Sequence, residues 1–290
     1  MPDSLAIGDQ PLDARPRGGS AAVVERGGRV VAAALACCGA AVVVVPLLLT
    51  LYLSAFDESL IVFPPRGYTL RWYTGILPEF GGALRTSAIT AVTATAISLM
   101  AGVPAGIGLA RHRFRGREAI AMLLLAPLTV PGIAIGLGIF VLAVMIEERT
   151  GLALSGTVGL MAAAHVLVTL PWVVRLSLAA LANHDMATEE AAASLGASPL
   201  RVIWRVTLPA MRGGIVAGAL FSFIWSFENL DMTLFLTAPG VTTLPIAVLG
   251  YLQYHIDPLV AALAVAQIVL VGAALILLDR IVPVARAVAR

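Results

Sequence analysis

Two acidic residues that interrupt an apolar stretch of this sequence could do chemistry. Glu228 and Asp231 interrupt the long apolar run from Gly213 to Leu236. A carboxylate is costly to bury in lipid, so it usually faces a polar partner or a water-filled path. Residues three apart share one face of a helix, and these two could therefore line the path of a cationic solute. The alternative is structural: hydrogen bonds to Asn229 or to a neighbouring chain.

Two more side chains could join that chemistry. His165 lies in the middle of another apolar run, where a histidine more often bonds a neighbouring helix than carries protons or touches substrate. Trp225 lies one helical turn before Asn229 and could stack on a cation, although tryptophan in a helical bundle is more often a packing residue. Together with Glu228 and Asp231, His165 would also suit the proton relay of a secondary transporter.

The chain contains no lysine, and all of its 19 lysine or arginine residues are arginine. A phosphate-binding loop requires a lysine after its glycines, and an enzyme that forms a Schiff base requires one as nucleophile. Cys37 and Cys38 are adjacent, so on a helix they diverge too far for an ordinary disulfide. No cysteine and histidine spacing suggests a metal site. We therefore expect no catalytic residue, cofactor or metal, which leaves a membrane-embedded enzyme without support.

The elements that position these residues must lie in a membrane. The chain of 290 residues is 59% hydrophobic and only 12% charged, whereas soluble domains are about one quarter charged. Its long apolar runs are rich in alanine and leucine without period-two alternation, which predicts an all-α transmembrane bundle of six helices. The predicted spans are Val30–Phe56, Thr86–Ala110, Ala119–Ile146, Thr150–Val174 with an extension to Leu181, Gly213–Leu236 and Pro258–Leu278. Prolines are expected to kink the second to fourth spans at Pro104, Pro127, Pro131 and Pro171.

The arginine distribution orients these spans. Loops rich in arginine usually face the cytoplasm. Here the arginines concentrate in the N-terminal tail, the loop RHRFRGRE, the segment before the fifth span and the C-terminal tail. With six spans, this bias predicts that both termini are cytoplasmic and that the protein lies in the cell (inner) membrane. We expect a disordered tail at 1–28, a membrane domain at 29–283 and a short cytoplasmic tail at 284–290.

A polar insert at 184–211 separates the fourth and fifth spans and contains EEAAASLGASPLRVIWRVTLPAM. Its composition predicts two short helices that meet at an angle close to the bilayer surface. The local signals are a cap at Asp185 or Thr188, a stop at Gly196, a restart at Ser198 and Pro199, and an end at Pro209. Such an insert is either an amphipathic hairpin that rests on lipid headgroups or a docking element for a cytoplasmic partner.

The spacing within the insert also resembles a known signature. Glu190-Ala191-Ala192 is followed after three residues by Gly196, and after nine more by Val206-Thr207-Leu208-Pro209. This pattern is similar to the EAA signature of permease subunits of binding-protein-dependent ABC importers. Valine at 206 replaces the usual isoleucine, and Gly213 stands where a proline often follows. The segments WSFENLDMTLFL and TTLPIAVLGYLQYHIDPLVAALA resemble the polyamine (spermidine/putrescine) subgroup, and the resemblance covers about residues 29–283.

This resemblance implies a type I ABC importer permease fold, in which the insert is a coupling helix seated in a groove of a separate ATPase subunit. Glu190 and Gly196 would hold the coupling helix in shape, and Arg201 and Arg205 would face the partner or the lipid surface. The residues that it assigns to ATPase coupling are Glu189, Glu190, Ala191, Ala192, Gly196, Ala197, Arg201, Leu208 and Pro209.

The same resemblance implies partners and a cargo. The partners are two ABC ATPase subunits, a second and homologous permease chain, an extracytoplasmic solute-binding protein and membrane lipid, with no nucleic acid. The residues that we expect along the substrate path are Trp225, Glu228, Asp231 and His165. The acidic residues favour a polyamine-like organic cation as cargo, whereas relatives of similar pattern carry iron, sulfate, phosphonates or opines.

Overall fold

The computed structural model describes residues 20–59, 63–182 and 184–281. Within these residues the regular elements are helices, and β pairing is limited to isolated bridges. The helices are α1 (Ser20–Leu53), α2 (Arg71–Arg111), α3 (Arg117–Leu125), α4 (Gly132–Thr150), α5 (Val158–Ala182), α6 (Ala187–Ser194), α7 (Pro199–Val202), α8 (Leu208–Ala210), α9 (Arg212–Phe227), α10 (Leu244–Leu252) and α11 (Leu259–Ile281). The predicted all-α class is confirmed.

Helix α1 up to Tyr52 forms one unit of the chain, and a second unit begins at Leu53. Its segment Val31–Leu53 is apolar and long enough to cross a membrane. The helix begins at Ser20, inside the segment 1–28 that the sequence predicts as a tail. The first 19 residues and the predicted C-terminal tail at 284–290 lie outside the described residues.

In the second unit, α2, α5 and the segment Leu259–Ile276 of α11 are also long and apolar enough to span a membrane. With α1 they make four such helices among the described residues, or up to six when each of two bent helix pairs counts as one span. The first, second, fourth and sixth predicted spans thus correspond to continuous helices, and the third corresponds to a bent pair. The fifth corresponds only to α9, because the other half of its bent pair, Pro199–Ala210, belongs to the insert.

The third predicted span is broken rather than merely kinked. Helix α3 and the 3₁₀ turn Ala126–Leu128 meet α4 at 99°. Pro131 precedes α4 with extended backbone (ψ 131°) and has no N–H to continue a helical ladder. A proline also disfavours helical backbone at the residue before it, which here is Val130. Pro104 and Pro171, by contrast, lie inside helices that continue through them.

Helix α2 is much longer than the predicted second span, because it begins at Arg71 and runs for 41 residues. Its first turns carry Ile76 and Phe80, which are buried against Leu244 of α10 and Leu263 of α11. This cluster, completed by Leu259 and Ala262, is called the far-end cluster below, because it lies at the opposite end of α2 from Arg111.

Helices α2, α5 and α9 pack closely through glycines. A methyl group added to Gly106 of α2 would lie 2.6 Å from the Cβ atom of Ser177 in α5. One added to Gly214 of α9 would lie 2.5 Å from the Cβ atom of Ala180 in α5. Since real carbon atoms do not approach so closely, these positions permit helix contacts that a larger residue would force apart.

Candidate functional site: the polar insert and the end of helix α9

The insert folds as two short helices joined by a fixed turn. Helix α6 ends in a left-handed turn at Gly196, whose φ is +82°. The N–H of Gly196 donates to the carbonyl of Ala193 (2.9 Å), and the N–H of Ala197 donates to that of Ala192 (3.1 Å). These two bonds are the Schellman pattern, which satisfies the carbonyls at a helix end. The space around Gly196 is open, so backbone conformation alone favours glycine here.

The remaining local signals act largely as predicted. The Asp185 carboxylate accepts the N–H of Ala187 (2.9 Å) at the start of α6. Ser198 has extended backbone and Pro199 begins α7. The second helix ends at Ala210, one residue beyond Pro209, and meets α9 at 69°.

One feature of the second helix was not predicted from the sequence. A π-helical turn at Ile203–Thr207 separates α7 from α8. Pro209 provides the physical reason, because its ring would clash with the carbonyl four residues earlier, at Arg205, in a regular α-helix. Widening the turn removes that clash, as is common where an extra residue enters a helix.

Glu189 connects the insert to helix α2. Its Oε1 atom accepts a hydrogen bond from Nη2 of Arg111 (2.8 Å), the last residue of α2. The same oxygen accepts the hydroxyl of Thr207 (3.1 Å) in the π-helical turn and lies 3.7 Å from Nε2 of His184. The side chains of Arg111 and Glu189 are only 12% and 15% exposed. The resemblance assigned the shaping role to Glu190, but the contacts that tie the insert down belong to Glu189.

The insert exposes three large apolar side chains. Leu195 is 89% exposed, and Leu200 and Trp204 are each 66% exposed. Among the predicted coupling residues, exposed positions are Glu190, Ala191, Gly196, Arg201 and Pro209, and half-buried ones are Glu189, Ala192, Ala197 and Leu208. Arg205 is exposed beside them. The insert therefore presents apolar side chains flanked by charged ones on a rigid turn.

At the other end of α9, the predicted pair of carboxylates is not on one helix face. The sequence predicted a helix from Gly213 to Leu236, but α9 ends at Phe227, and Glu228 is already non-helical. The Asn229 side chain accepts the N–H of Met232 (3.2 Å), which stabilises a turn in place of the helix. Asparagine commonly competes with helical hydrogen bonds in this way.

The two acids consequently contact different elements. The amide of Gln267 in α11 donates to Oε1 of Glu228 (2.8 Å), and the Glu228 side chain is otherwise exposed. Asp231 is also exposed, but it packs beside Gly132 at the start of α4, where its Cβ would lie 3.2 Å from an added methyl group. The prediction of a joint carboxylate pair is therefore wrong in its geometry.

A group of aromatic rings on α9 and α5 precedes Glu228. The rings of Trp225 and Trp172 lie 5.4 Å apart between centroids, and those of Trp172 and Phe221 lie 5.6 Å apart and stack. Trp225 is 47% exposed and Phe221 49% exposed. The sequence pointed to Trp225 alone. Phe221 could have been found from its spacing of four residues, whereas Trp172 required knowledge of how α5 packs on α9.

His165 is enclosed rather than placed along a path. It is fully buried, and its Nδ1 and Nε2 atoms contact the hydroxyls of Ser226 (2.6 Å) and Thr233 (3.1 Å). The Thr233 hydroxyl donates to the backbone carbonyl of Asn229 (2.8 Å). Because that donation uses its one proton, Thr233 accepts from Nε2–H, and Nδ1 then accepts from Ser226. Both ring nitrogens are satisfied, so His165 joins α5 to the turn after α9.

Comparison with known proteins identifies the group to which these features belong. Residues 102–286, more than half of the chain, match the family described as "Binding-protein-dependent transport system inner membrane component". The chain belongs to this family. It is therefore a multi-pass inner-membrane permease subunit of a transport system, and not itself an enzyme.

Two curated relatives show the range of this permease family. The putrescine transport system permease protein PotI of Escherichia coli (strain K12) is 30% identical over 78% of this chain and 81% of its own length. The molybdenum transport system permease protein ModB of Mycobacterium tuberculosis (strain ATCC 25618 / H37Rv) is 34% identical over 71% of this chain and 81% of its own length. Sequence identity alone thus leaves a putrescine system and a molybdenum system at a similar distance.

A solved structure shares the fold. The bacterial alginate ABC transporter in complex with an alginate pentasaccharide-bound periplasmic protein contains a chain that superposes with a TM-score of 0.65 at 15% identity. The match covers 89% of this permease and 94% of that chain. The fold predicted from the EAA resemblance, that of an ABC importer permease, is confirmed.

Proposed function

We propose that this permease forms the translocation path of an ATP-driven importer and that its insert docks on a separate ATPase subunit. The observation that carries the proposal is the exposed apolar surface of Leu195, Leu200 and Trp204 on a turn fixed by Gly196. Apolar side chains that are exposed on a rigid polar insert are typical of a protein interface. The chain has no lysine for a phosphate-binding loop, so nucleotide hydrolysis of that kind must come from a partner.

The proposed assembly contains two ATPase subunits, a second and homologous permease chain, an extracytoplasmic solute-binding protein and the surrounding lipid. Both termini and the insert lie on the cytoplasmic side, in keeping with the arginine-rich segments at 111–117 and 201–212. The alginate transporter, which was solved with a periplasmic protein, supports the same kind of partner here.

The proposed cargo is a polyamine-like organic cation. Glu228 offers an exposed carboxylate with one neutral partner, Gln267, and the rings of Trp225 and Phe221 lie on the helix that leads to it. Carboxylates and aromatic faces both attract ammonium groups. The similarity to PotI points the same way. The similarity to ModB makes molybdate the second candidate, although an exposed carboxylate is a poor neighbour for an oxyanion.

The experiment is uptake by the complete complex in proteoliposomes. With ATP and the solute-binding protein supplied, radiolabelled putrescine should accumulate, and molybdate should not compete. A matched sample with a proton gradient and no ATP should show no uptake. Uptake driven by the proton gradient would instead favour a secondary transporter, and uptake of molybdate alone would replace the proposed cargo while leaving the importer assignment intact.

A further inference from the structure

The contact between Arg111 and Glu189 lies where two helices meet end to end. Arg111 is in the last turn of α2, and Glu189 is in the first turn of α6. A cation is favourable at a helix C-terminus and an anion at a helix N-terminus, so the pair complements both helix dipoles as well as its own charges. Because both side chains are largely buried, solvent weakens the attraction less than it would at an open surface.

The end of α2 is held by further bonds. The N–H of His112 donates to the carbonyl of Gly108 (3.0 Å), and the Arg117 side chain donates to the carbonyl of Leu109 (2.7 Å). These bonds satisfy carbonyls that a helix end would otherwise leave open. A displacement of the insert therefore acts on a helix end that these bonds stabilise against fraying.

Helix α2 then leads without a break to the far-end cluster. From Arg111 to Ser87 the helix covers about 36 Å at 1.5 Å per residue. The Ser87 hydroxyl accepts the N–H of Leu244, the first residue of α10, at 2.8 Å, and both residues are almost fully buried. The short helix α10 is thus bonded directly to the same helix that the insert holds at its other end.

We propose that the Arg111–Glu189 pair is a positioning joint through which α2 transmits movement of the insert to α10 and the far-end cluster. The inference rests on the proposed coupling to an ATPase, and it adds the element that carries the movement. Glu189 acts on α2 through Arg111, and Ser87 passes the displacement to α10 through the N–H of Leu244. A continuous helix that is bonded at both ends moves as one body. The bent pair α8–α9 offers a shorter connection from the insert, but its bend of 69° can absorb the displacement.

The test uses the complete complex in proteoliposomes and measures putrescine moved per ATP hydrolysed. Glu189→Gln and Arg111→Gln should each lower this ratio about tenfold while ATP hydrolysis persists and the ATPase subunits still co-purify. The double variant should be no worse than either single variant, because both remove one joint. Ser87→Ala, at the other end of α2, should lower the same ratio. Arg113→Gln, an exposed arginine two residues from Arg111, is the matched control and should leave it unchanged.

Two results would overturn the inference. The first is a normal ratio in Glu189→Gln and Ser87→Ala. The second is loss of the ATPase subunits from Glu189→Gln, which would make Glu189 a docking residue rather than a joint. Arg111→Lys, which keeps the charge, should give an intermediate ratio and serves where Arg111→Gln does not fold. If the unaltered complex moved putrescine without ATP, the proposed function itself would fail, and that outcome is distinct from either of the two.

Discussion

Glu189 and Glu228 are both acids beside the membrane helices, but their surroundings differ. Glu189 contacts a guanidinium, a hydroxyl and a histidine, and its side chain is 15% exposed. Among the described residues, Glu228 has one hydrogen-bond partner, the neutral amide of Gln267, and it is exposed. The charge of Glu189 is used within the chain to fix the insert, whereas no cationic side chain of the described residues forms an ion pair with Glu228. This difference is why the proposed function assigns the cation to Glu228 and the coupling to Glu189.

The largest effect is expected at Gly196, in the turn that follows α6. Gly196→Asp should reduce putrescine uptake by the reconstituted complex more than tenfold while the chain still inserts. A side chain at φ +82° costs about 1–2 kcal/mol, and relief of that strain would break the Schellman bonds that aim Leu195. Gly196→Asn is the control, because asparagine adopts this backbone more readily than other residues that carry a side chain and lacks the charge of aspartate beside the apolar surface, and it should retain most uptake. Normal uptake by Gly196→Asp would contradict a coupling role for the turn.

A similarly large effect is expected for the apolar surface of the insert. Replacing Leu195 and Trp204 together by serine should weaken co-purification of the ATPase subunits about tenfold, because hot spots of an interface are commonly apolar or aromatic anchors. The matched control is Leu152→Ser, at another exposed leucine (61% exposed) in the loop after α4. If the double variant and Leu152→Ser retained the same amount of ATPase subunit on purification, the insert would rest on lipid rather than on a protein.

At the other end of α9, Glu228→Gln should lower putrescine uptake about tenfold, with the loss mainly in apparent affinity. The substitution keeps the shape and the contact with Gln267 but removes the charge that attracts an ammonium group. Initial uptake rates over a range of putrescine concentrations measure the effect. Asp231→Asn is the comparison variant, and a smaller change is expected because Asp231 packs beside Gly132. Full uptake by Glu228→Gln would remove this acid from the path.

The smallest effect on transport is expected at His165. His165→Ala should destabilise the fold by about 1–3 kcal/mol, because the buried hydroxyls of Ser226 and Thr233 lose their partner. Thermal unfolding of the detergent-purified chain measures this change. Uptake per folded complex should stay within about twofold at every pH tested. An unchanged unfolding temperature with abolished uptake would instead assign His165 a role in transport.

The sequence predicted the features that depend on neighbours along the chain. The turn at Gly196, the restart at Pro199 and the apolar runs follow from local rules of backbone and composition. The features it missed depend on distant contacts or on local competition. The joint of Glu189 with Arg111 links residues 78 positions apart, and no spacing rule predicts such a pair. The early end of α9 reflects the Asn229 side chain, whose turn overrides an apolar pattern that would otherwise continue as helix.

The most direct test of the coupling role is photocrosslinking from the tip of the insert. A photoreactive amino acid placed at Leu195 of the membrane-embedded complex should form a covalent product with the ATPase subunit, and its yield should fall when Gly196 is replaced by aspartate. Crosslinked products that contain only lipid would contradict the account. So would a yield that does not change when Gly196 is replaced by aspartate.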